Sequence, residues 1–377
     1  MHPMIKPALR RAWRDRNTVR YGVAPAHAVL LGPVDTATGG FLELFDGTRS
    51  LPRLRQAAEA MGLGADAADR LVARLAEAGL LDDATAHRRA AARVDDRLRP
   101  DLGSLSVLRP EPGGGVRRLA ARAAARVQVR GAGRVGATVA ALLSAAGVGQ
   151  VDVVDGGCVA PWDTAPGGIA PDQTGERRAS AAGRAVRRAA AGARPPRPGR
   201  GDGVGRGDSA PGLALVVIAP RDGLAAYAPD PAAAEELVRG GRPHLYAGVV
   251  EATGFVGPLV LPGAAACAEC LMLGCAEREP TWPLVVAQWR SARRSAVPAC
   301  DVALATVVAG ATASCALSFL DGDESCVTDS RQHWVLPRLR AECEPVPPHP
   351  ECPCGAASGH GGRPLSADGA RRSTMAT

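Results

Sequence analysis

The sequence predicts an α/β protein: a winged-helix-like module followed by a Rossmann-like domain carrying a zinc knuckle. Three observations lead there. A hairpin signal and three helical patterns fill residues 18–81. A strand, the fingerprint Gly131-Ala132-Gly133-Arg134-Val135-Gly136, an apolar helix and a strand ending on Asp155 then follow in order. Two close cysteine pairs, Cys267/Cys270 and Cys352/Cys354, lie further on. With 377 residues, 46% of them hydrophobic, the chain is long enough for more than one domain and a substantial core.

Thr18 to Val23 and Ala28 to Leu31 are short apolar runs around Ala24-Pro25-Ala26-His27, a hairpin pattern. Asp35 to Phe45 has helical spacing of Phe41, Leu42, Leu44 and Phe45, broken by Asp46-Gly47-Thr48. Ser50 is a candidate cap for a helix from Leu51 to Met61. Asp66 to Ala78 places Leu71, Val72 and Leu75 on one helical face. Residues 1–100 form the first module, and 101–118, with its run PEPGGG, read as a flexible linker. The second domain covers 119–355. It begins with the alternating strand Arg126 to Arg130, and the helix after the fingerprint runs from about Ala137 to Ala146. Val151 to Val154, Leu213 to Ile218, His244 to Val250 and Phe255 to Leu261 are further strands. The Pro/Gly/Arg stretch at 191–212 and the polar tail at 356–377 read as disordered.

Composition excludes several functions. Lys6 is the only lysine, so no phosphate loop ending in Gly-Lys and no mid-chain Schiff base exist. The basic start lacks an apolar run, so the chain reads as cytoplasmic, with its ten cysteines as thiols or metal ligands rather than disulfides. Val302 to Leu320 is of membrane length, but its Ala, Thr, Ser and Gly read as a buried helix, not a span. The net charge of +7 comes from dispersed arginines without aromatic interleaving, which argues against nucleic acid and leaves room for an acidic peptide.

In the fingerprint, Gly131 permits the tight turn, Gly133 lets backbone approach a phosphate and Gly136 lets the helix pack on the sheet. Asp155, 19 residues beyond Gly136, is placed to accept from ribose hydroxyls. The same fold can also persist around an empty pocket. Cys267, Cys270, Cys352 and Cys354 suit a closed tetrahedral thiolate zinc site; redox chemistry and unrelated thiols are the other readings. Cys158, Cys275, Cys300, Cys315, Cys326 and Cys343 are nucleophiles by residue type alone. Cys315 reads as core, Cys275 as a competing ligand, His349 as a turn residue and His244 as a satisfied strand histidine.

The run VQVRGAGRVGATVAALLSAAGVGQVDVVD resembles the adenylate-binding core of the ThiF/MoeB superfamily, relatives of ubiquitin-activating enzymes. HLYAGVVEATGFVGPLVLPGAAACAECL and PHPECPCG resemble that superfamily's later sheet and zinc knuckle. The first module resembles the peptide clamp of proteins that process ribosomal peptides. Together they are similar to the leader-peptide-binding partners of YcaO-type azole-forming cyclodehydratases. The resemblance implies a ThiF-type domain, an ATP/Mg site around Asp155 and Arg178, a homodimer, and a precursor leader peptide and cyclodehydratase as partners. It further implies an asparagine near Asp163, an arginine near Pro166 and a magnesium-linked aspartate after the Leu213–Ile218 strand. Neither of the first two is present, and only Asp222 stands near the third position. A site short of such cations and donors is a degenerate adenylation site. The clamp implies that a leader adds as a strand beside Ala28, Val29, Leu30 and Leu31, with Arg70 and Arg74 meeting acidic leader residues; a solvated arginine face is the other reading. Three functions follow: a non-catalytic peptide scaffold, an active adenylyltransferase, and a nicotinamide oxidoreductase, which the cysteine pairs and the clamp disfavour.

Overall fold

A computed structural model describes residues 1–64, 66–92, 94–191, 212–292 and 297–359. The stretch 192–211 of the expected insertion lies outside the described residues, as does 360–377 of the expected disordered tail; its first residues are instead ordered as a short helix, Ala356–Gly359. Two compact units are present, one over Met1–Ala121 and one beginning at Arg122.

The first unit contains β1 (Pro3–Ile5), β2 (Arg11–Asp15), β3 (Thr18–Tyr21), β4 (Val29–Leu31), α1 (Thr36–Leu42), α2 (Leu51–Ala60), α3 (Ala67–Glu77), β5 (Leu81–Asp83), α4 (Ala84–Ala91), α5 (Arg99–Leu108) and α6 (Gly114–Ala124), the last crossing the unit boundary. The expected hairpin and three helices are present. The sheet, however, has three strands in the order β2-β3-β4. The first of these, RAWRD, is mostly exposed and shows no apolar alternation, which is why sequence pattern misses it. Val19, Tyr21, Leu31, Phe41, Leu54, Leu71 and Leu75 close the core. Asp35 caps α1 through Thr38 N–H at 2.7 Å, whereas Ser50 precedes α2 without a side-chain capping bond.

Residues 101–118 are not a flexible linker. They form most of α5 and the start of α6, tied down by buried polar groups. The Asp82 carboxylate accepts from Ser106 Oγ at 2.6 Å, His87 Nε2 at 2.6 Å and Gly113 N–H at 2.7 Å. Burial pushes its pKa up, but these bonds together hold it well below the usual carboxylate range. Lys6, also buried, donates to the Arg109 carbonyl. The glycine run marks close approach rather than mobility: a Cβ at Gly115 would lie 2.8 Å from Ser106 N.

The second unit contains β6 (Arg126–Arg130), α7 (Arg134–Ala145), β7 (Gln150–Val154), α8 (Arg178–Ala189), β8 (Leu213–Ile218), α9 (Leu224–Tyr227), α10 (Pro231–Arg239), β9 (His244–Val250), β10 (Thr253–Val260), α11 (Ala268–Arg278), α12 (Trp282–Ser291), α13 (Val302–Leu320), β11 (Ser330–Val335), β12 (Arg340–Pro345) and α14 (Ala356–Gly359). Its seven-stranded sheet runs β12-β11-β10-β9-β8-β6-β7. β7, β6, β8 and β9 are parallel, and β10, β11 and β12 extend the sheet antiparallel. The helix after the fingerprint starts at Arg134, three residues before the expected Ala137, because Gly133 takes the N-cap position.

Valines and leucines of β6, β8 and β9 pack against α7 and α13 in the main core. By length and composition α13 could cross a membrane; here its Leu304, Val308, Thr312 and Ala316 row is buried in that core, as expected of an internal helix. Asp301 caps it through Ala303 and Leu304 N–H at 2.8 and 3.0 Å. Gly254 lets the helix lie close to β10, since a Cβ there would fall 2.4 Å from Val308 Cγ2. At the helix end, Asp321 receives both arms of the buried Arg122 guanidinium at 2.9 and 2.6 Å.

Candidate functional site

The fingerprint turn leaves β6 at Gly131, whose φ of 108° and a Cβ that would sit 2.0 Å from Ala219 O admit only glycine. A Cβ at Gly136 would lie 2.2 Å from Gly131 O, so this glycine sets the helix against the turn. Both do what the pattern implies. Gly133 differs: its open side is covered by the Arg221 side chain, whose Cβ and Cγ lie 3.4 Å from where a Cβ would stand.

Asp155 directly follows β7, and its side chain is 7% exposed. One oxygen accepts from Ala132 N–H at 2.9 Å, the other from Gly157 N–H at 2.9 Å and Arg178 Nε at 2.8 Å. The carboxylate thus closes the glycine turn and holds Arg178, the first residue of α8. Arg178 also donates to Cys158 O at 2.8 Å and lies 3.6 Å from Asp163.

Asp163 is the centre of this arrangement. Its side chain is 1% exposed, accepts from Ala160 N–H at 2.9 Å and receives Arg221 Nε at 2.5 Å. Arg221 lies 5.8 Å from the Trp162 ring centroid. Arg134 donates to Cys300 O at 2.8 Å on the opposite side. The space bounded by Gly133, Arg134, Trp162, Arg221, Pro298 and Cys300 measures about 20 Å³. That holds about one water molecule, whereas drug-sized ligands occupy pockets of roughly 300–1,000 Å³. Asp222 supplies no acid to this space through Oδ1, which accepts from Leu224 N–H at 3.1 Å in the α9 turn.

The four cysteines converge. Cys267 is the N-cap of α11 and Cys270 lies in its first turn; Cys352 and Cys354 come from the segment after β12. All four sulfurs lie within 4.8 Å of one another. The contacts 267–270, 267–352 and 270–354 measure 3.8, 3.5 and 3.6 Å. A tetrahedral ion with metal–sulfur bonds of about 2.3 Å needs sulfur edges of roughly 3.8 Å, so the set is placed to hold one metal ion such as zinc. The hydrogen bond from Cys267 lowers the Cys270 thiol to about 4 and raises Cys267, while burial lifts Cys352 to about 12. Asp329 aligns the two segments, a role its sequence context does not reveal. Its Oδ1 accepts from Ala266 N–H at 2.7 Å and its carbonyl from Val346 N–H at 2.8 Å. A cleft of about 330 Å³ beside α10 reaches Cys267 and Cys354.

Cys275 is not in the set; it is buried and receives Arg278 Nη2 at 3.3 Å. Cys315 is buried in the core. His349 carries the turn leading into Cys352, whose N–H donates to its carbonyl at 3.0 Å. His244 is only half satisfied: Nδ1 bonds the Arg242 carbonyl at 2.9 Å, and the buried Nε2 has no hydrogen-bond partner.

In the first unit, β4 pairs only with β3, so its outer edge is unpaired among the described residues. Val29 and Leu30 are half-buried, Leu31 is buried, and Ala28 lies just before the strand. Arg74 reaches from α3 to the Gly32 carbonyl at the strand's end. Arg70, one turn earlier, is exposed and lies 3.6 Å from Asp66.

A parallel strand–glycine turn–helix unit joined to an antiparallel extension and a four-cysteine set defines the ubiquitin-activating-enzyme-like class of nucleotide-binding folds. The chain belongs to the ThiF family, whose model matches residues 113–354. No curated protein sequence matches the chain. Among solved structures, Escherichia coli MccB with succinimide is similar at 15% identity and a TM-score of 0.67, over 96% of this chain and 100% of that one. The microcin C7 biosynthetic enzyme MccB in complex with N-formylated MccA is similar at 14% and 0.66, over 94% and 100%. The heterocyclase TruD is similar at 16% and 0.59, over 95% of this chain but 43% of that one. At these identities the likeness is one of fold.

Proposed function

We propose that this protein is a leader-peptide-binding scaffold in the biosynthesis of ribosomally made, azole-containing peptides, with a degenerate adenylation site and a separate ATP-using cyclodehydratase as its partner. The observation that carries this reading is the Arg221–Asp163–Arg178 cluster. Arg221 covers Gly133, the point of phosphate approach, and leaves about 20 Å³ of space there. Catalysis of adenylyl transfer rests on cations and donors aimed at the phosphates. In this cluster Asp155 and Asp163 engage both Arg178 and Arg221. The likeness to a heterocyclase more than twice as long supports division of the reaction between two components. The unpaired β4 edge supports peptide capture by strand addition, with Arg74 beside its end. Cys267, Cys270, Cys352 and Cys354 would hold a zinc ion through four thiolates, a structural set that would keep no open coordination position for catalysis.

Calorimetric titration with MgATP and fluorescence anisotropy with a labelled precursor peptide test the reading together. It predicts saturable peptide binding and no nucleotide heat up to millimolar concentration. A second reading, an active adenylyltransferase, is favoured by the full-length correspondence to MccB, which has been solved with ATP. It predicts saturable MgATP binding and peptide-dependent pyrophosphate exchange, and that result would displace the scaffold.

A further inference from the structure

We propose that Cys326 and Cys315 form a modification site: a thiol pair that reacts with a small disulfide and closes reversibly into an intramolecular disulfide. Cys326 is exposed in the turn between α13 and β11, and Cys315 is buried on α13. Their sulfurs lie 4.0 Å apart. A disulfide bond spans roughly 2 Å, so about the same distance remains to be closed. The turn backbone is held on both sides of Cys326. Val327 is fully buried and its carbonyl accepts from Leu259 N–H at 2.8 Å; the Cys326 carbonyl accepts from Ser330 Oγ at 2.8 Å. Rotation of the exposed Cys326 side chain is therefore the motion that brings the sulfurs together.

The two sulfurs have distinct roles. The hydrogen bond from Cys315 lowers the Cys326 thiol to about 6, and that bond together with burial raises Cys315. Cys326 is the attacking thiolate. It displaces one thiolate from a small disulfide and becomes a mixed disulfide. Cys315 then gives up its proton to the released thiolate and attacks the Cys326 sulfur, displacing the second thiolate. Two cysteine thiols are oxidised and one external disulfide is reduced to two thiols.

The test treats the full, metal-loaded chain with cystamine, quenches with acid, alkylates free thiols and cleaves at Asp321, Asp323 or Glu324, which lie between the two cysteines. The fragments bearing Cys315 and Cys326 are expected to remain joined and to separate with dithiothreitol. Cys315→Ser is expected to stop at a cysteamine adduct on Cys326, and Cys326→Ser to leave Cys315 unmodified. A stable adduct on Cys326 beside a free Cys315 in the wild-type chain would overturn the proposal, as would Cys326 joined to any other cysteine.

Discussion

Acid should weaken the second unit through one histidine. His244 opens β9, the strand between β8 and β10, and is 0% exposed. Protonation would place a cation there with one donor bonded to the Arg242 carbonyl and the other, Nε2, facing no acceptor. Burial is the main cause lowering its pKa from 6.5 to about 4; the Arg242 carbonyl opposes this and the Arg130 charge adds to it. In the unfolded chain the same imidazole titrates near 6.5. Between these values the unfolded state binds the extra proton, so stability is intact above pH 6.5 and falls as pH drops toward 4. At roughly 1.4 kcal/mol per pH unit, the full loss is about 3 kcal/mol. The assay is urea unfolding of wild type and His244→Asn at several pH values from 7.5 to about 4. Asparagine keeps a donor for the Arg242 carbonyl but cannot titrate. Differencing the two proteins cancels carboxylates common to both, and the wild type should lose about 3 kcal/mol relative to the variant. Parallel pH profiles would refute the buried-neutral account of His244.

Three further outcomes follow from particular contacts. Chelation, or Cys352→Ser, should remove one metal ion per chain and expose the segment after β12 to proteolysis, measured by metal analysis and limited digestion; retention of metal in the variant would argue against the four-sulfur site. Asp321→Ala leaves the buried Arg122 guanidinium without its bidentate partner and should cost about 3–5 kcal/mol in denaturant unfolding, with a loss under 1 kcal/mol arguing that the pair is effectively solvated. Arg74→Glu reverses the charge beside the β4 edge and should weaken binding of an acidic leader at least tenfold by anisotropy, an effect that should diminish with salt; unchanged affinity would remove Arg74 from the peptide site.

What the sequence makes legible follows from where constraint is local. Gly131 and Gly136 are required by backbone atoms a few ångströms away, and the strand–turn–helix around them is contiguous, so both fold and placement can be read directly. The C-x-x-C pair is similarly local; C-x-C is a less usual partner for it, and the convergence of the two pairs is visible only in the fold. Longer-range features are less visible. β2 is charged and exposed, so its pairing leaves no apolar period. The glycine run at 113–115 looks like a linker, yet Gly113 N–H bonds Asp82 and Gly115 admits α5 closely. Arg221, Asp163 and Asp329 each act on residues more than 50 positions away, and nothing in their neighbours announces a partner.

That division bears on function. A glycine fingerprint fixes backbone, and backbone requirements persist whether or not a ligand is bound. Here Gly131 and Gly136 serve contacts internal to the sheet and helix, with Ala219 and with Gly131 itself. Neither needs a nucleotide. Gly133 is the one member whose smallness the fingerprint reserves for an incoming group, and the group lying over it is Arg221 from the same chain. Arg221 leaves β8 two residues beyond Ala219, whose carbonyl crowds Gly131, so the turn that fits the fingerprint also delivers the side chain that fills it. Replacing Arg221 with alanine would remove that side chain while leaving Asp155 to close the glycine turn. If the arginine alone closes the site, Arg221→Ala should bind MgATP measurably while still failing at pyrophosphate exchange, because Arg178 would remain paired with Asp155 and Asp163. Nucleotide binding equal to that of wild type would locate the obstruction elsewhere.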